Sequence, residues 1–251
     1  MQIQTVFKRY EIKYVLTRQQ KKEIMKLLER YMVPDAFGES TIRNLYYDTD
    51  TYRLARRSIE NPVYKEKLRV RSYKKVTGED TVFVELKKKY CSVVYKRRLT
   101  LPETETMNWL AGGKCPVDGQ IANEINYFLE YYKTLHPVSF ISYDRQAFFS
   151  AEDDSFRISF DENIRSRQDT LSLTTDPGGN RLLDEGLVLM EIKTAGAIPL
   201  WLTDFLTDNQ LYKTSFSKYG KAYTDYIYLD KINSNRIQQE MYQGREELRY
   251  A

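Results

Sequence analysis

The sequence predicts an α+β fold, an antiparallel β-barrel with a cationic interior flanked by helices. Three observations lead there. Strand-like segments outnumber helical ones and mostly follow one another, which disfavours a doubly wound parallel sheet. Turn signals separate them at Thr77-Gly78-Glu79-Asp80, Gly112-Gly113 and Asp176-Pro177-Gly178-Gly179. Several strands each put two or more long charged residues at one parity, and successive side chains of a strand point to opposite faces.

The elements follow in chain order. In Phe7 to Leu16, Arg9, Glu11 and Lys13 oppose Tyr10, Ile12, Tyr14 and Leu16. Thr17, with Gln20 three residues on, is a capping box that starts a helix. Ile24, Leu27, Leu28 and Tyr31 form its apolar stripe, and Pro34 is read as its end. Lys65, Lys67, Arg69, Arg71 and Tyr73 then oppose Leu68 and Val70. Glu85, Lys87 and Lys89 oppose Val82, Val84 and Leu86, and the next strand adds Lys96 and Arg98. A second helix spans about Gln120 to Leu135, burying Ile121, Ile125, Phe128, Leu129 and Tyr132. Arg145 follows on Tyr143 to Phe148, and Arg157 opposes Phe156, Ile158 and Phe160. Glu191 and Lys193 oppose Met190 and Ile192. Helices are expected near Pro199 to Thr207, with proline in the first turn, and near Lys218 to Tyr228. Residues 232–251, rich in Asn, Gln, Glu and Arg, read as a helical or partly disordered tail after a domain at 1–231.

Composition narrows the function classes. The 251 residues are 41% hydrophobic and 14% aromatic, enough for a packed core. One histidine and two cysteines, Cys91 and Cys115, outside any C-x-x-C pair, argue against a zinc site and read as structural thiols in a reducing cytoplasm. No run approaches the ~20 apolar residues of a membrane span. A net charge of +4 does not by itself argue for nucleic acid. The basic residues also point to one enclosed face, not to an exposed stacking platform.

For a single strand, a solvated polar face explains such a pattern. Here, however, Arg and Lys dominate strand after strand. Directly opposed cations repel, so a sheet carrying so many needs a polyanion or matched carboxylates between them. Closing the strands with cations inward and apolar residues outward under helices meets that need. Arg grips phosphate oxygens in pairs and Lys acts as a point charge. Phosphoryl transfer needs mainly positioning and charge neutralisation, with a metal bridging phosphate oxygens. A carboxylate among cations suits Mg²⁺ or Mn²⁺, and Glu191 is the candidate; the alternative is a structural ion pair with Lys193 or a neighbour. With no glycine-rich phosphate loop present, side chains must hold the phosphates. Other residues have plainer readings. His136 is a loop or capping residue, Tyr46-Tyr47 pack the wall with one hydroxyl able to touch phosphate, and Arg56-Arg57 and Lys74-Lys75 are loop charge. Tyr219 and Lys221 could reach the tunnel mouth.

An ordered set of segments points further. It comprises Phe7-Lys8-Arg9-Tyr10-Glu11-Ile12-Lys13-Tyr14, Asn44-Leu45-Tyr46-Tyr47-Asp48, Lys67-Leu68-Arg69-Val70-Arg71 and Val84-Glu85-Leu86-Lys87. It continues with Tyr143-Asp144-Arg145, Arg157-Ile158-Ser159-Phe160-Asp161, Met190-Glu191-Ile192-Lys193 and Ser217-Lys218-Tyr219. Together they resemble the VTC domain, the polyphosphate polymerase module of the vacuolar transporter chaperone complex, in the CYTH-like superfamily of triphosphate tunnel metalloenzymes. The resemblance implies an eight-stranded antiparallel tunnel that passes the γ-phosphate of ATP to a growing polyphosphate chain with a divalent metal. It implies that Arg69, Arg71, Lys87, Arg145, Arg157 and Lys218 bind the triphosphate or the growing chain. Lys13, Lys67, Lys96 and Lys193 would be further tunnel cations, Glu11 and Glu85 supporting or balancing acids, and Glu191 the metal ligand. The hydrolytic branch opens with Glu-x-Glu-x-Lys; here Arg9 replaces the first acid, which favours the polymerase branch. Tripolyphosphate or nucleoside triphosphate hydrolysis, and polyphosphate binding without turnover, are the alternatives. Neither the inositol-phosphate sensing domain nor the membrane helices of the eukaryotic complex are expected.

Overall fold

The computed structural model describes residues 10–60, 62–91, 93–153, 155–230 and 232. Arg9 and the tail assignment beyond Ile232 lie outside them. The strands are β1 (Tyr10–Thr17), β2 (Met32–Asp48), β3 (Tyr64–Ser72), β4 (Thr81–Tyr90), β5 (Val93–Pro102), β6 (His136–Ser150), β7 (Arg157–Arg167), β8 (Asn180–Arg181) and β9 (Leu187–Thr194). The helices are α1 (Arg18–Tyr31), α2 (Arg53–Glu60), α3 (Glu103–Leu110), α4 (Gln120–Tyr132), α5 (Leu200–Asp208) and α6 (Lys218–Ala222), the last running into a π-helical turn, Tyr223–Ile227.

The strands form one antiparallel sheet in the order β1-β9-β7-β6-β2-β3-β4-β5, with the two-residue β8 beside β7. The eight-stranded antiparallel architecture is therefore present. Closure differs in kind: among the described residues no backbone ladder joins β1 to β5. The sheet curls until Lys87 of β4 reaches Glu11 of β1 at 3.4 Å.

Alternation sends the apolar parity outward, as expected. Leu68, Val70, Val84 and Leu86 pack beneath Trp109 of α3 and Ile125 and Phe128 of α4. Tyr14, Leu16, Ile158, Met190 and Ile192 pack beneath Ile24 and Leu28 of α1 and Leu202 and Phe205 of α5. A third cluster was not foreseen. It fills part of the inner face, where Ile42, Tyr46, Ile141 and Leu189 of the sheet meet Tyr219, Ala222, Tyr223 and Ile227. One stretch of the interior is thus apolar, and the cations occupy the remainder.

The capping box of α1 is formed, with Thr17 Oγ1 accepting from Gln20 N (3.2 Å) and Gln20 Oε1 accepting from Thr17 N (2.9 Å). Helix α1 stops at Tyr31, before Pro34, because Met32 is already extended and Pro34 lies in β2 opposite Phe148. Helix α4 stops at Tyr132, short of Leu135, where Lys133 takes a left-handed conformation (φ 56°). His136 begins β6.

Helices α2 and α3 were missed. Arg56 and Arg57, read as loop charge, sit on α2, whose eight residues are too few to show a clear period. Helix α2 instead depends on Asp48, which is fully buried. Its Oδ1 accepts from Thr49 N (2.8 Å) and Leu54 N (2.9 Å), and its Oδ2 from Ala55 N (2.8 Å) and the Tyr219 hydroxyl (2.7 Å). One carboxylate thus ties β2, α2 and α6 together. Asp48→Ala is expected to cost about 3 kcal/mol or more, since it strands several buried donors at once. A urea titration measures this, and a loss below about 1 kcal/mol would contradict the tie.

Candidate anion tunnel

Register brings the charged parity of the strands together. Across β3, β4 and β5, Lys67 lies opposite Lys87, which lies opposite Lys96. The next row inward runs Tyr46, Arg69, Glu85 and Arg98, and beyond it Asn44 faces Arg71. On the other wall Glu11 pairs with Lys193 and Lys13 with Glu191, while Ser159 and Arg157 of β7 face Glu191 and Lys193. Arg145 of β6 pairs with Asp161 of β7. Lys218 enters from the start of α6, where the Ser217 hydroxyl caps the helix by accepting from Gly220 N (3.1 Å).

These side chains form two clusters centred on acids. In the first, Glu85 is only 1% exposed. It binds Arg69 through Nε (2.8 Å) and Nη2 (2.7 Å), Lys96 (2.6 Å) and Arg98 through Nε (2.8 Å). Arg69 also donates to the Tyr46 hydroxyl (3.0 Å); Arg71 donates to Asn44 Oδ1 (2.9 Å) and the Tyr143 hydroxyl (3.1 Å). In the second cluster, Arg145 and Lys218 both bridge Asp161 and Glu191, and Lys13 stands 3.4 Å from Glu191 and 3.1 Å from Glu11.

Burial alone would raise the carboxyl pKa values, but the surrounding cations outweigh it. Glu85 is held well below the usual carboxylate range by Arg69, Arg71 and Lys96, Glu191 by Lys218, Lys13 and Arg145, and Glu11 chiefly by Lys87. Among the lysines, burial together with Lys87, Lys13, Lys65 and Arg69 pushes Lys67 down to about 7. Burial, Arg145 and Lys87 push Lys193 down to about 8 despite Glu191 and Glu11. Lys67 has a hydroxyl as its neighbour, Ser217 Oγ at 3.0 Å, and among the described residues neither lysine has a carboxylate within 4 Å.

A polyanion would raise both lysine pKa values, so binding at pH 8 should take up protons. Tripolyphosphate affinity should fall as pH rises from 7 to 9, by up to about tenfold per unit for each group. Calorimetry in buffers of different ionisation enthalpy checks this; binding without proton uptake would contradict it.

Most of the expected site residues converge: Lys13, Lys67, Arg69, Arg71, Lys87, Lys96, Arg145, Lys193, Lys218, Glu11, Glu85 and Glu191 share this face. Arg157 has the right parity but is exposed at the start of β7 and makes no ion pair within 4 Å among the described residues. The ion-pair alternative for Glu191 holds with other partners than Lys193. Tyr46 turns inward and stacks on Tyr219 (4.7 Å), whereas Tyr47 packs outward near Met107. Lys221 pairs with Asp225 (2.7 Å) instead of joining the cations. Sequence reading passed over Asp161, Asn44 and Tyr143 as site residues and gave Arg98 no role. Parity places Arg98 on this face beside Lys96, as the sequence reading had it, and the same rule applied to Arg157 and Ser159 would have added Asp161.

Among the described residues, the acids paired with these cations are Glu11, Glu85, Asp161 and Glu191. Among the described residues no cluster of three or more His, Cys, Asp or Glu side chains could hold a metal. At Glu191 the protein offers a hard divalent ion a single carboxylate, whose oxygens already meet Lys13, Lys218 and Arg145. No helix among the described residues is long and apolar enough to cross a membrane.

An antiparallel sheet curled around a buried face rich in Arg and Lys defines the triphosphate-tunnel class. Within it, the chain belongs to the VTC domain family, whose profile matches residues 8–226. Among solved structures, a candidate adenylate cyclase from Bacillus halodurans aligns with a TM-score of 0.55 and 15% identity, covering 88% of this chain and 97% of that one. At that identity the likeness concerns the fold. A candidate adenylate cyclase from Vibrio parahaemolyticus aligns with a TM-score of 0.43 and 14% identity, over 85% of this chain and 96% of the other. A search of curated proteins gives no match.

Proposed function

We propose that this chain is a polyphosphate polymerase that transfers the γ-phosphate of ATP to the end of a polyphosphate chain, with Mn²⁺ or Mg²⁺ held at Glu191. The observation that carries the reading is the excess of cations on the inner face, above all the Lys67–Lys87–Lys96 row, where Lys87 and Lys96 reach the acids of neighbouring positions, Glu11 and Glu85, and Lys67 meets only a hydroxyl among the described residues. A chain of phosphates supplies the missing charge at close, regular spacing. Arg69, Arg71, Arg145 and Lys218 would grip phosphate oxygens, and Arg157 at the exposed strand start would meet the polymer as it enters or leaves. The metal would neutralise charge between phosphates.

Electrostatics favours a phosphate acceptor over water. Glu11, Glu85 and Glu191 are held ionised by their cations, so they are weak bases for deprotonating a water molecule. A terminal phosphate oxygen is already ionised and needs no base. The test is to incubate purified protein with ATP and Mn²⁺ and resolve the products on a polyphosphate gel. A ladder of phosphate polymer is expected. Phosphate release without polymer would replace polymerisation by hydrolysis, and absence of turnover with retained tripolyphosphate binding would leave a binding module.

A further inference from the structure

We propose that Phe37 and Tyr73, at one end of the tunnel, form a stacking platform for the base of a nucleoside triphosphate. The inference rests on the reading above that the inner face grips such a triphosphate. At this end the rows of β3 and β4 change from charged to aromatic. Phe83 is directly opposite Arg71, and Tyr73, at the same parity as Arg71, follows where β3 stops. The Tyr73 and Phe83 rings meet edge to face at 5.3 Å. Arg98 fixes both: its guanidinium lies 4.6 Å from the centre of the Phe83 ring, and its Nη2 donates to the Tyr73 hydroxyl (3.1 Å). Glu85 in turn accepts from Arg98 Nε (2.8 Å) and from Arg69 Nε (2.8 Å), so the Tyr73 ring is anchored to the same acid that holds Arg69.

Phe37 adds a second ring from β2. Between Pro34 and Glu39 the β2–β6 register shifts, and the residues between them bulge from the ladder. Asp35 Oδ1 accepts from Phe37 N (2.6 Å) and Gly38 takes a left-handed conformation (φ 57°), which together turn the chain there. The Phe37 ring lies nearly parallel to Tyr73, 6.2 Å between centres and 17° between planes, yet it is 73% exposed. A ring presented parallel to an anchored aromatic wall and left open to solvent suits the flat face of a base, which stacks on aromatic side chains whatever its identity. Spacing agrees. Successive rows on one face of a strand are about 7 Å apart, so Tyr73 lies one row beyond Arg71 and two beyond Arg69. A triphosphate gripped by those arginines sends its nucleoside toward these rings. In the other direction from Arg69 the rows lead to Lys67, Lys87 and Lys96 and, through Glu11 and Lys193, to Arg157. Those cations suit a bare phosphate chain, so nucleoside and polymer occupy opposite ends.

The experiment is calorimetry without added metal, comparing β,γ-imido ATP with tripolyphosphate on the wild-type protein, Phe37→Ala and Phe37→Trp. Because Phe37 is exposed, both variants keep the core. Phe37→Ala should weaken binding of the ATP analogue roughly 10-fold and leave tripolyphosphate binding within about twofold. Phe37→Trp keeps a flat face and should bind the analogue at least as tightly as the wild type. Unchanged affinity for the analogue in Phe37→Ala overturns the inference, as does an equal loss for both ligands, or a loss in Phe37→Trp as large as in Phe37→Ala. A wild-type protein that binds tripolyphosphate but not the analogue overturns the platform and removes ATP as donor together. A Phe37-dependent preference for the analogue in a protein that makes no polymer upholds the platform, and only the polymerase reading then fails.

Discussion

Glu191→Gln should lower Mn²⁺-dependent turnover of ATP by at least about 100-fold while the protein stays folded. The carboxylate is 6% exposed and touches Lys13, Arg145 and Lys218. Glutamine keeps its shape and one acceptor oxygen but loses the charge a divalent ion needs. Folding survives because Asp161 still holds Arg145 and Lys218. Metal-free tripolyphosphate binding should persist or tighten, because the wall loses one negative charge. The polymer gel, a thermal melt and metal-free calorimetry together check this. Turnover at the wild-type level would remove Glu191 from the metal site.

The second large effect concerns stability. Glu85→Gln should cost about 3–5 kcal/mol, the range found when one partner of a buried ion pair is removed. Glu85 is the shared counter-ion of Arg69, Lys96 and Arg98, and its loss leaves these cations facing one another. Saturating tripolyphosphate should return part of that loss, because it restores negative charge only in the folded state. In the wild-type protein the depressed Glu85 pKa makes its contribution fully present above the ordinary carboxyl value of 4.5 and progressively lost as pH falls below it. Denaturant titrations with and without tripolyphosphate, at pH 7 and pH 4, measure both effects. A loss below about 1 kcal/mol would mean that the cations are balanced without Glu85.

Glu85 and Asp161 illustrate why some of the site was legible in the sequence and some was not. A strand's parity is a local property, two residues per repeat, so Arg69, Arg71, Glu85, Lys87 and Lys193 could be assigned to a common face before any pairing was known. The same periodicity separated Leu68, Val70, Met190 and Ile192 to the other face, where helices cover them. The first helix was equally readable, because its capping box and apolar stripe lie within one short segment. Helix α2 was not, because its stability comes from Asp48 and from Tyr219, 171 positions away.

The sequence by itself therefore determined the fold class, from the number and order of its strand-like segments, and which residues of a strand share its charged face, from alternation along that strand. Only the tertiary structure decided which cation meets which acid. It also decided that Arg157 stands apart, that Asp161 shares Arg145 and Lys218 with Glu191, and that Tyr219 and its neighbours fill part of the interior. Those outcomes depend on register between strands distant in sequence and on where α6 docks. Such long-range terms are absent from the periodicity of any one segment.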